Sequence, residues 1–506
     1  MEKQPVYEEI KTGAPITVAV TQAVVETRLL PQPGEGISRV LSITTEPTIN
    51  SAETFNGEAR FSGRVDFKVL YLTGDGKNRC LGCSAEFSDK TESDKLKPDT
   101  VVWVKASVID TDVVSLKPDE IKLASVVEIK IFAIVEENIN YLASGGDGVY
   151  TQEEKIEYSR FIASGKGVFN ETGAVENTRL CKVLLAEHRA IILSASSERD
   201  VVTVGGVIVS DICGETEDEL IASVRIETPF TEEISAPEVR AGDIVTAESK
   251  VSGELQLIEG EKGNTISVEY ALETKFTAFA TESKTIVTDA FLPTHELICE
   301  RNQTKAVTVS ENICHTEKIE GSVTLAQNAE SVDNILALTG FGVTITSALA
   351  FDGEALVEGL ISGNIIYYGA QENSKCSTVV EIPFSIKIPV YGLSACDKIT
   401  ANGFVNTANA KIRRANEIDV KLDIVFSISK ETEREIGVIR SLTVGEAREL
   451  PTSAISVYVV SSKESLWDVA KALGTTPEII VSQNDGLELP LKGGEKIMLF
   501  RHLDRN

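Results

Sequence analysis

Cysteine and histidine are the residues of this chain whose chemistry could support a metal or redox site. Cys80 and Cys83 form a Cys-x-x-Cys pair, which supplies half of the four ligands of a tetrahedral zinc site. Cys299 and the Cys314-His315 dipeptide lie elsewhere in the sequence and could add ligands only across domains. A glycine-containing turn at the end of a strand accounts for the pair, so we predict no metal site and no cofactor.

The other reactive residues lack the spacing of catalytic motifs. His295 is not followed by the second histidine of a zinc-protease helix, and residues 74–78 have neither the length nor the Ser/Thr of a phosphate-binding loop. Residues 340–342 lack the third glycine of a dinucleotide site. The sequence therefore predicts a protein that is not an enzyme. A hydrolase with a sugar-binding tail is the alternative, because paired carboxylates come together only in the fold; a peptidoglycan-cleavage assay of residues 1–454 tests it.

The charge of the chain restricts its partners. It has 506 residues with 49 Lys plus Arg and 77 Asp plus Glu, a net charge of −28. A chain this acidic is repelled by phosphate backbones and by anionic lipid surfaces. We therefore expect neither nucleic acid nor a membrane surface as a partner.

The composition is that of a globular protein. Its 42% apolar and 25% charged residues are ordinary, and its length suggests about three to five domains. No apolar run approaches the roughly 18–20 residues of a membrane helix, and no signal peptide is visible at the start. We expect an intracellular protein whose eight cysteines are reduced thiols.

Internal repeats provide the elements that must position any site. Residues 48–59 match residues 344–355 without a gap, and a third, weaker copy lies between them. The match continues with Phe61, Gly63, Val65, Val69, Leu70, Tyr71 and Cys80 against Val357, Gly359, Ile361, Ile365, Ile366, Tyr367 and Cys376. In the weaker copy Lys182-Val183-Leu184 answers Arg39-Val40-Leu41, Ser194-Ala195 answers Ser51-Ala52, and Gly206 answers Gly63. Such self-similarity indicates one structural unit used three times.

The periodicity of the repeats is that of β-strands. Apolar residues alternate with polar ones through residues 61–71, 266–279 and 420–429, which is the pattern of a strand with one buried face. The pattern changes near the C-terminus. A short strand at 456–460 precedes a helix with a Ser465 cap, a second helix opening at Thr476-Pro477, and a closing strand at 496–500.

These patterns predict a mainly β protein with three tandem β repeat domains and a small βααβ module. The predicted segments are a lead-in at 1–14, a repeat at 15–140, a connector at 141–180, a repeat at 181–290, a connector at 291–331, a repeat at 332–430, a linker at 431–454 and the module at 455–501.

The module resembles a LysM domain. The resemblance rests on Tyr458-Val459-Val460, Leu466-Trp467-Asp468-Val469-Ala470, Gly474-Thr475-Thr476, Asn484 and Gly494-Glu495-Lys496-Ile497. LysM domains hold N-acetylglucosamine polymers in a shallow groove between two loops. The resemblance places a partner- or glycan-binding groove at Ser461, Ser462, Lys463, Glu464, Ser465, Trp467, Asn484, Asp485, Gly486 and Leu487.

The sequence departs from the LysM pattern in this groove. Lys463-Glu464 replaces the usual Gly-Asp, and the last strand lacks its terminal proline. Loss of the glycine removes easy access to positive φ and to close backbone approach. Trp467 lies on the apolar helix face and is expected in the module core, not as a sugar platform. We therefore expect a module that recognises protein.

The repeats resemble the SPOCS domains of spore-coat proteins. The resemblance rests on Arg39-Val40-Leu41, on the spacing of Ser51, Gly57 and Gly63, and on Val69-Leu70-Tyr71. SPOCS-like repeats followed by LysM resemble the SipL family of coat morphogenetic proteins. That family acts in the mother cell and couples the coat to the forespore surface by binding the coat ATPase SpoIVA, with the LysM domain implicated in the contact.

Two functions are implied by the SipL and LysM resemblances. The first is a non-enzymatic scaffold for coat assembly that binds a SpoIVA-like ATPase, with exposed edge strands of the repeats available to further partners. The second is a protein that binds peptidoglycan or chitin-like glycan of the cell wall or spore cortex. The missing export signal counts against the second function.

Overall fold

The computed structural model of the protein describes residues 4–260, 262–370, 374–448 and 453–500. Strand accounts for 76% and helix for 3%, so the prediction of a mainly β fold is confirmed. No helix in the described part of the chain is long and apolar enough to cross a membrane.

The chain forms twenty-one strands and two helices in the described residues. They are β1 (Val6–Leu29), β2 (Ile37–Phe55), β3 (Glu58–Thr73), β4 (Asn78–Glu92), β5 (Val102–Lys117), β6 (Glu120–Ser144), β7 (Tyr150–Thr178), β8 (Leu180–Glu198), β9 (Val201–Thr216), β10 (Ile221–Ser235), β11 (Ile244–Ile258), β12 (Asn264–Phe291), β13 (His295–Val309), β14 (Ile313–Thr324), β15 (Val332–Phe351), β16 (Glu354–Gly369), β17 (Lys375–Pro389), β18 (Lys398–Arg414), β19 (Glu417–Ala447), β20 (Ile455–Val459), α1 (Leu466–Leu473), α2 (Pro477–Gln483) and β21 (Lys496–Phe500).

The same antiparallel arrangement occurs three times. In unit 1 (Val6–Ser144), β2, β3 and β4 form one sheet in chain order, and a second sheet has β6 between β1 and β5. Unit 2 (Tyr150–Phe291) repeats this with β8-β9-β10 and with β12 between β7 and β11. Unit 3 (His295–Ala447) has β15-β16-β17, and its β19 pairs with β18 on one side and with β13 and β14 on the other.

The first strand of each unit lies wholly or partly in a range predicted from sequence as a lead-in or connector. Val6–Ala14 belong to β1, β7 fills most of 141–180, and β13 and β14 fill most of 291–331. The linker at 431–454 likewise contains the end of β19. These strands alternate half-buried with exposed residues, as in residues 164–176 of β7, so they lack a large apolar stripe. We propose that each repeat comprises its whole unit, six strands in units 1 and 2 and seven in unit 3.

The most regular strands are those with one large apolar face. Residues 61, 65, 67, 69 and 71 of β3 are buried, as are the matching faces of β12 and β19. Side chains alternate between the two faces of a strand, so each of these faces packs into the core of its own unit.

A glycine in the middle strand of each meander allows the sheet to form. Gly63, Gly206 and Gly359 lie at the same place in β3, β9 and β16, beside a bulge in the preceding strand. A Cβ at each would lie 2.5 Å or less from a carbonyl oxygen of that strand and against a phenylalanine ring. Glycine is therefore needed at these positions because there is no room for a Cβ atom. Backbone conformation is not the reason, since none of the three has a positive φ.

The three units share a core. Equivalent residues of their meander sheets meet in one buried cluster, which contains Leu41, Leu184 and Ala337 from the first strands and Leu70, Cys213 and Ile366 from the middle strands. A second shared cluster joins the long strands and includes Ile10, Ile156 and Ile436. The three units therefore pack against each other around one axis and are not independent domains joined by linkers.

A carboxylate lies where the units meet on this axis. Both oxygens of Glu187 in unit 2 accept the backbone N–H of Gly340 in unit 3 at 3.0 Å. A Cβ at Gly340 would lie 3.4 Å from Cγ2 of Thr44 in unit 1. Burial of the carboxylate raises the pKa of Glu187 despite the Gly340 hydrogen bond and the nearby Arg189 charge.

Candidate binding module

The C-terminal module (residues 453–500) has the predicted strand, helix, helix, strand order. Ser465 caps α1 through a capping box with Asp468, and Gly474 ends it in the left-handed conformation. Thr476 caps α2, whose first residue is Pro477. These local signals were visible in the sequence, and the structure confirms the two helices.

The module is packed against unit 2. Phe291, the last residue of β12, is buried in the same cluster as Val469, Ala470 and Leu473 of α1. Its ring meets that of Trp467 edge-on, with centroids 5.0 Å apart, and stacks on Tyr150 at 5.4 Å. Part of the hydrophobic core of the module is therefore supplied by the repeat body.

Asp289 of β12 stabilises the contact between the module and unit 2 through a hydrogen bond and ion pairs. Its carboxylate accepts the indole N–H of Trp467 at 2.8 Å and the ammonium of Lys471 at 2.9 Å, and it pairs with Arg301. Burial alone would raise the pKa of Asp289, but these hydrogen bonds and the charges of Lys471 and Arg301 outweigh it and lower the pKa. Arg448 adds a hydrogen bond of 2.9 Å to the carbonyl of Lys471.

Trp467 is thus a docking residue in this structure. It is half-buried and contacts residues of β12 far away in sequence, which no pattern within the module could reveal. Its N–H bonds Asp289 and its ring contacts Phe291, so both groups are used inside the molecule.

The first predicted groove loop, residues 461–465, is a tight turn. Glu464 accepts the backbone N–H of Ser461 at 2.6 Å and the hydroxyl of Tyr458 at 2.9 Å. Ser462 and Lys463 are exposed, and Lys463 has a φ of 75°. The backbone at Lys463 therefore adopts the positive φ that glycine adopts easily. From the sequence we expect replacement of the usual glycine to remove easy access to this conformation, and in this loop Lys463 adopts it nevertheless.

The second predicted groove loop, residues 484–487, is tied to β21. The side-chain amide of Asn484 accepts the backbone N–H of Met498 and donates to its carbonyl, both at 2.7 Å, and it also caps α2 through Ile480. Gln483 holds the backbone of Phe500 in the same way. Asn484 is therefore a brace for the strand, while Asp485 and Gly486 are exposed and Leu487 packs on the module core.

The first loop meets the end of the α2–β21 connection. A Cβ at Gly493 would lie 3.4 Å from the Cα of Ser462, and the backbone of Val460 bonds with Gly494 and Glu495. The 484–487 turn contacts β21 instead. Of the predicted groove residues, six are exposed, namely Ser461, Ser462, Lys463, Ser465, Asp485 and Gly486. Trp467, Asn484 and Glu464 are engaged within the protein.

The cysteine pair lies inside strand β4, not in a turn at its end. Residues three apart on a strand point to opposite faces, and Cys83 contacts the Thr27 hydroxyl at 3.1 Å while burial raises the pKa of Cys80. The described residues contain no group of three or more His, Cys, Asp and Glu placed to hold a metal ion. His188 bonds Ser210 at 2.8 Å, and burial lowers its pKa to about 4, aided by Lys68 and Arg189.

Residues 36–116 match a known family described as SipL, SPOCS domain. The matched range covers β2 to β5 of unit 1. The comparisons with curated proteins and with solved structures return no match to the chain.

Proposed function

We propose that this protein is a non-enzymatic scaffold for spore-coat assembly, located in the mother cell at the forespore surface. The observation that carries the proposal is the match of residues 36–116 to the SipL SPOCS domain. The strand order of that region recurs in units 2 and 3, which supports three SPOCS-like units around one axis followed by a LysM-like module.

The module is the part proposed to bind a coat morphogenetic ATPase of the SpoIVA kind. It is held on the repeat body by Asp289 and Phe291, so a partner bound to the module is tethered to the whole body. Two residues of the predicted partner- or glycan-binding groove, Trp467 and Asn484, are engaged internally, which favours recognition of protein over glycan.

A binding measurement with two ligands tests this function. The full chain and a chain ending at residue 448 are passed over the immobilised coat ATPase and, separately, over chitin hexamer. We expect the full chain to bind the ATPase and the shortened chain to lose most of this binding. Equal binding by both chains would assign the contact to the repeats.

Glycan binding is the second candidate function. The observation that favours it is the positive φ of Lys463, because the loop backbone keeps the conformation that close approach of a sugar would use. Binding of the full chain to chitin hexamer but not to the ATPase would establish this function in place of the scaffold.

A further inference from the structure

The outer face of the module's sheet is apolar and exposed. Ile455, Val457 and Val459 of β20 are 56%, 58% and 55% exposed, and Met498 and Phe500 of β21 are 45% and 46% exposed. In the register of the two strands Val457 lies opposite Met498 and Ile455 opposite Phe500. Five large apolar side chains therefore share one side of a two-stranded sheet, and contiguous patches of this kind mark interaction sites.

The two edges of this sheet differ. On the β21 edge, the outward N–H and C=O groups of Met498 and Phe500 are bonded by the side-chain amides of Asn484 and Gln483. Those amides occupy the hydrogen-bonding positions that a neighbouring strand would use. The β21 edge is therefore closed to strand addition.

The β20 edge is open. Val460 directs its N–H and C=O toward Glu495 and Gly494 on the β21 side, and these directions alternate along an antiparallel strand. The backbone groups of Val459, Val457 and Ile455 therefore point away from β21, and within the described residues no strand pairs with this side of β20.

The sequence of β20 does not protect this edge. Natural edge strands are blunted with charges, prolines or bulges, but residues 453–462 contain no charged residue and no proline. The outward backbone groups belong to the same residues whose apolar side chains are exposed. An added strand would thus gain main-chain hydrogen bonds and apolar contacts at the same three positions.

We propose that the β20 edge receives an extended strand from the protein that the module binds. The incoming strand has apolar residues at alternate positions for the outer face and small or polar residues toward Ser456 and Tyr458. A second copy of this chain is disfavoured as the donor because both copies would carry a net charge of −28. This inference rests on the proposed scaffold function and names the surface that performs it.

Val457 offers a sharp test. Val457→Pro removes the outward N–H and leaves the bonds to β21 intact, because the N–H of Val457 is not used there, and proline is tolerated at such edge positions. Val457→Thr is the matched control, since it keeps the N–H and the β-branched shape. In full chains binding the coat ATPase, we expect Val457→Pro to weaken binding at least tenfold and Val457→Thr to change it less than threefold.

Amide hydrogen exchange provides a second measurement that needs no variant. In the wild-type complex, exchange of the peptide 453–460 should slow at least tenfold. Equal binding by the two variants with unchanged exchange overturns the edge contact and leaves the scaffold function standing. Failure of the wild-type chain to bind the ATPase overturns both, and a wild-type dimer with a protected 453–460 peptide makes a second copy the donor.

Discussion

The indole Nε1 of Trp467 donates a hydrogen bond of 2.8 Å to Oδ2 of Asp289, across 178 residues of sequence. This bond and the edge-on contact of Trp467 with Phe291 hold the module in one position on unit 2. Because α1 faces the repeat body, β20 and its open edge are left to solvent. The docking contact therefore determines which surface of the module a partner can reach.

Replacing Asp289 should loosen the module without unfolding the repeats. In Asp289→Ala the indole N–H of Trp467 and the Lys471 ammonium lose their acceptor, and a buried polar group without a partner costs about 1–3 kcal/mol. We expect faster amide exchange in α1 and a red-shifted tryptophan emission. Glu254→Ala, at an exposed position in β11, is the control, and identical exchange in the two variants would contradict the role of Asp289.

The same contact should weaken in acid. The pKa of Asp289 is lowered in the folded protein, so its carboxylate stabilises docking above the unfolded pKa of about 3.9, and this contribution is lost as the pH falls through the folded value. Tryptophan emission followed from pH 7 to pH 3 should report release of Trp467 at the acid end. Asp289→Asn should abolish that part of the transition, and an unchanged transition in this variant would assign it to other groups.

The central glycines of the meanders should not tolerate a methyl group. A Cβ at Gly206 would lie against the carbonyl oxygen of Ile191 and the ring of Phe230, and overpacking of this kind costs about 1–3 kcal/mol. Gly342→Ala is the matched control, because nothing lies within 4 Å of its Cβ position. Thermal unfolding should show a lower midpoint for Gly206→Ala alone, and equal midpoints would contradict the packing argument.

The sequence predicts the parts of this fold that depend on local pattern. The faces of β3, β12 and β19 follow from large apolar residues at alternate positions, and both helix caps follow from Ser465 and Thr476. The opening strands β7 and β13 are paired along their length but have few buried residues, so their alternation carries no strong signal.

The site depends on contacts that no local pattern contains. Asp289 and Phe291 lie at the end of unit 2, and only the fold brings them to Trp467. Asn484 matches a LysM position, but its role as a strand brace is visible only in its bonds to Met498. The alternation of Ile455, Val457 and Val459 in the sequence indicates an apolar face of β20. The fold shows that this face is exposed, because Tyr458 on the other face packs on the module core.

Glu187 should make the body less stable as the pH rises. Its pKa is raised in the folded protein by burial, so its contribution to stability is fully present below the unfolded pKa of about 4.3 and is lost as the pH rises through the folded value. Glu187→Gln retains an acceptor for Gly340 and has no charge to bury. The free energy of unfolding of this variant should fall less than that of the wild type between pH 5 and pH 8, whereas Glu254→Gln should follow the wild type.

Lys463→Gly should stabilise the module. Lys463 has a φ of 75°, and a residue with a Cβ in the left-handed region costs about 1–2 kcal/mol relative to the right-handed one, a cost that glycine avoids. The greater freedom of glycine in the unfolded chain offsets part of this gain, so we expect a net increase of about 0.5–1 kcal/mol. Amide exchange of the peptide 461–473 in the full chain measures it.

Lys492→Gly is the control for that substitution. Lys492 is also exposed and lies in the connection before β21, but it is not among the residues with positive φ. Glycine there relieves no left-handed strain; it adds freedom to the unfolded chain and removes an exposed ion pair with Glu488, which contributes little. Exchange of α1 should slow in Lys463→Gly and remain equal or increase in Lys492→Gly. Equal slowing in both would attribute the effect to loss of a lysine charge, and slowing in neither would mean that the 461–465 turn carries no strain.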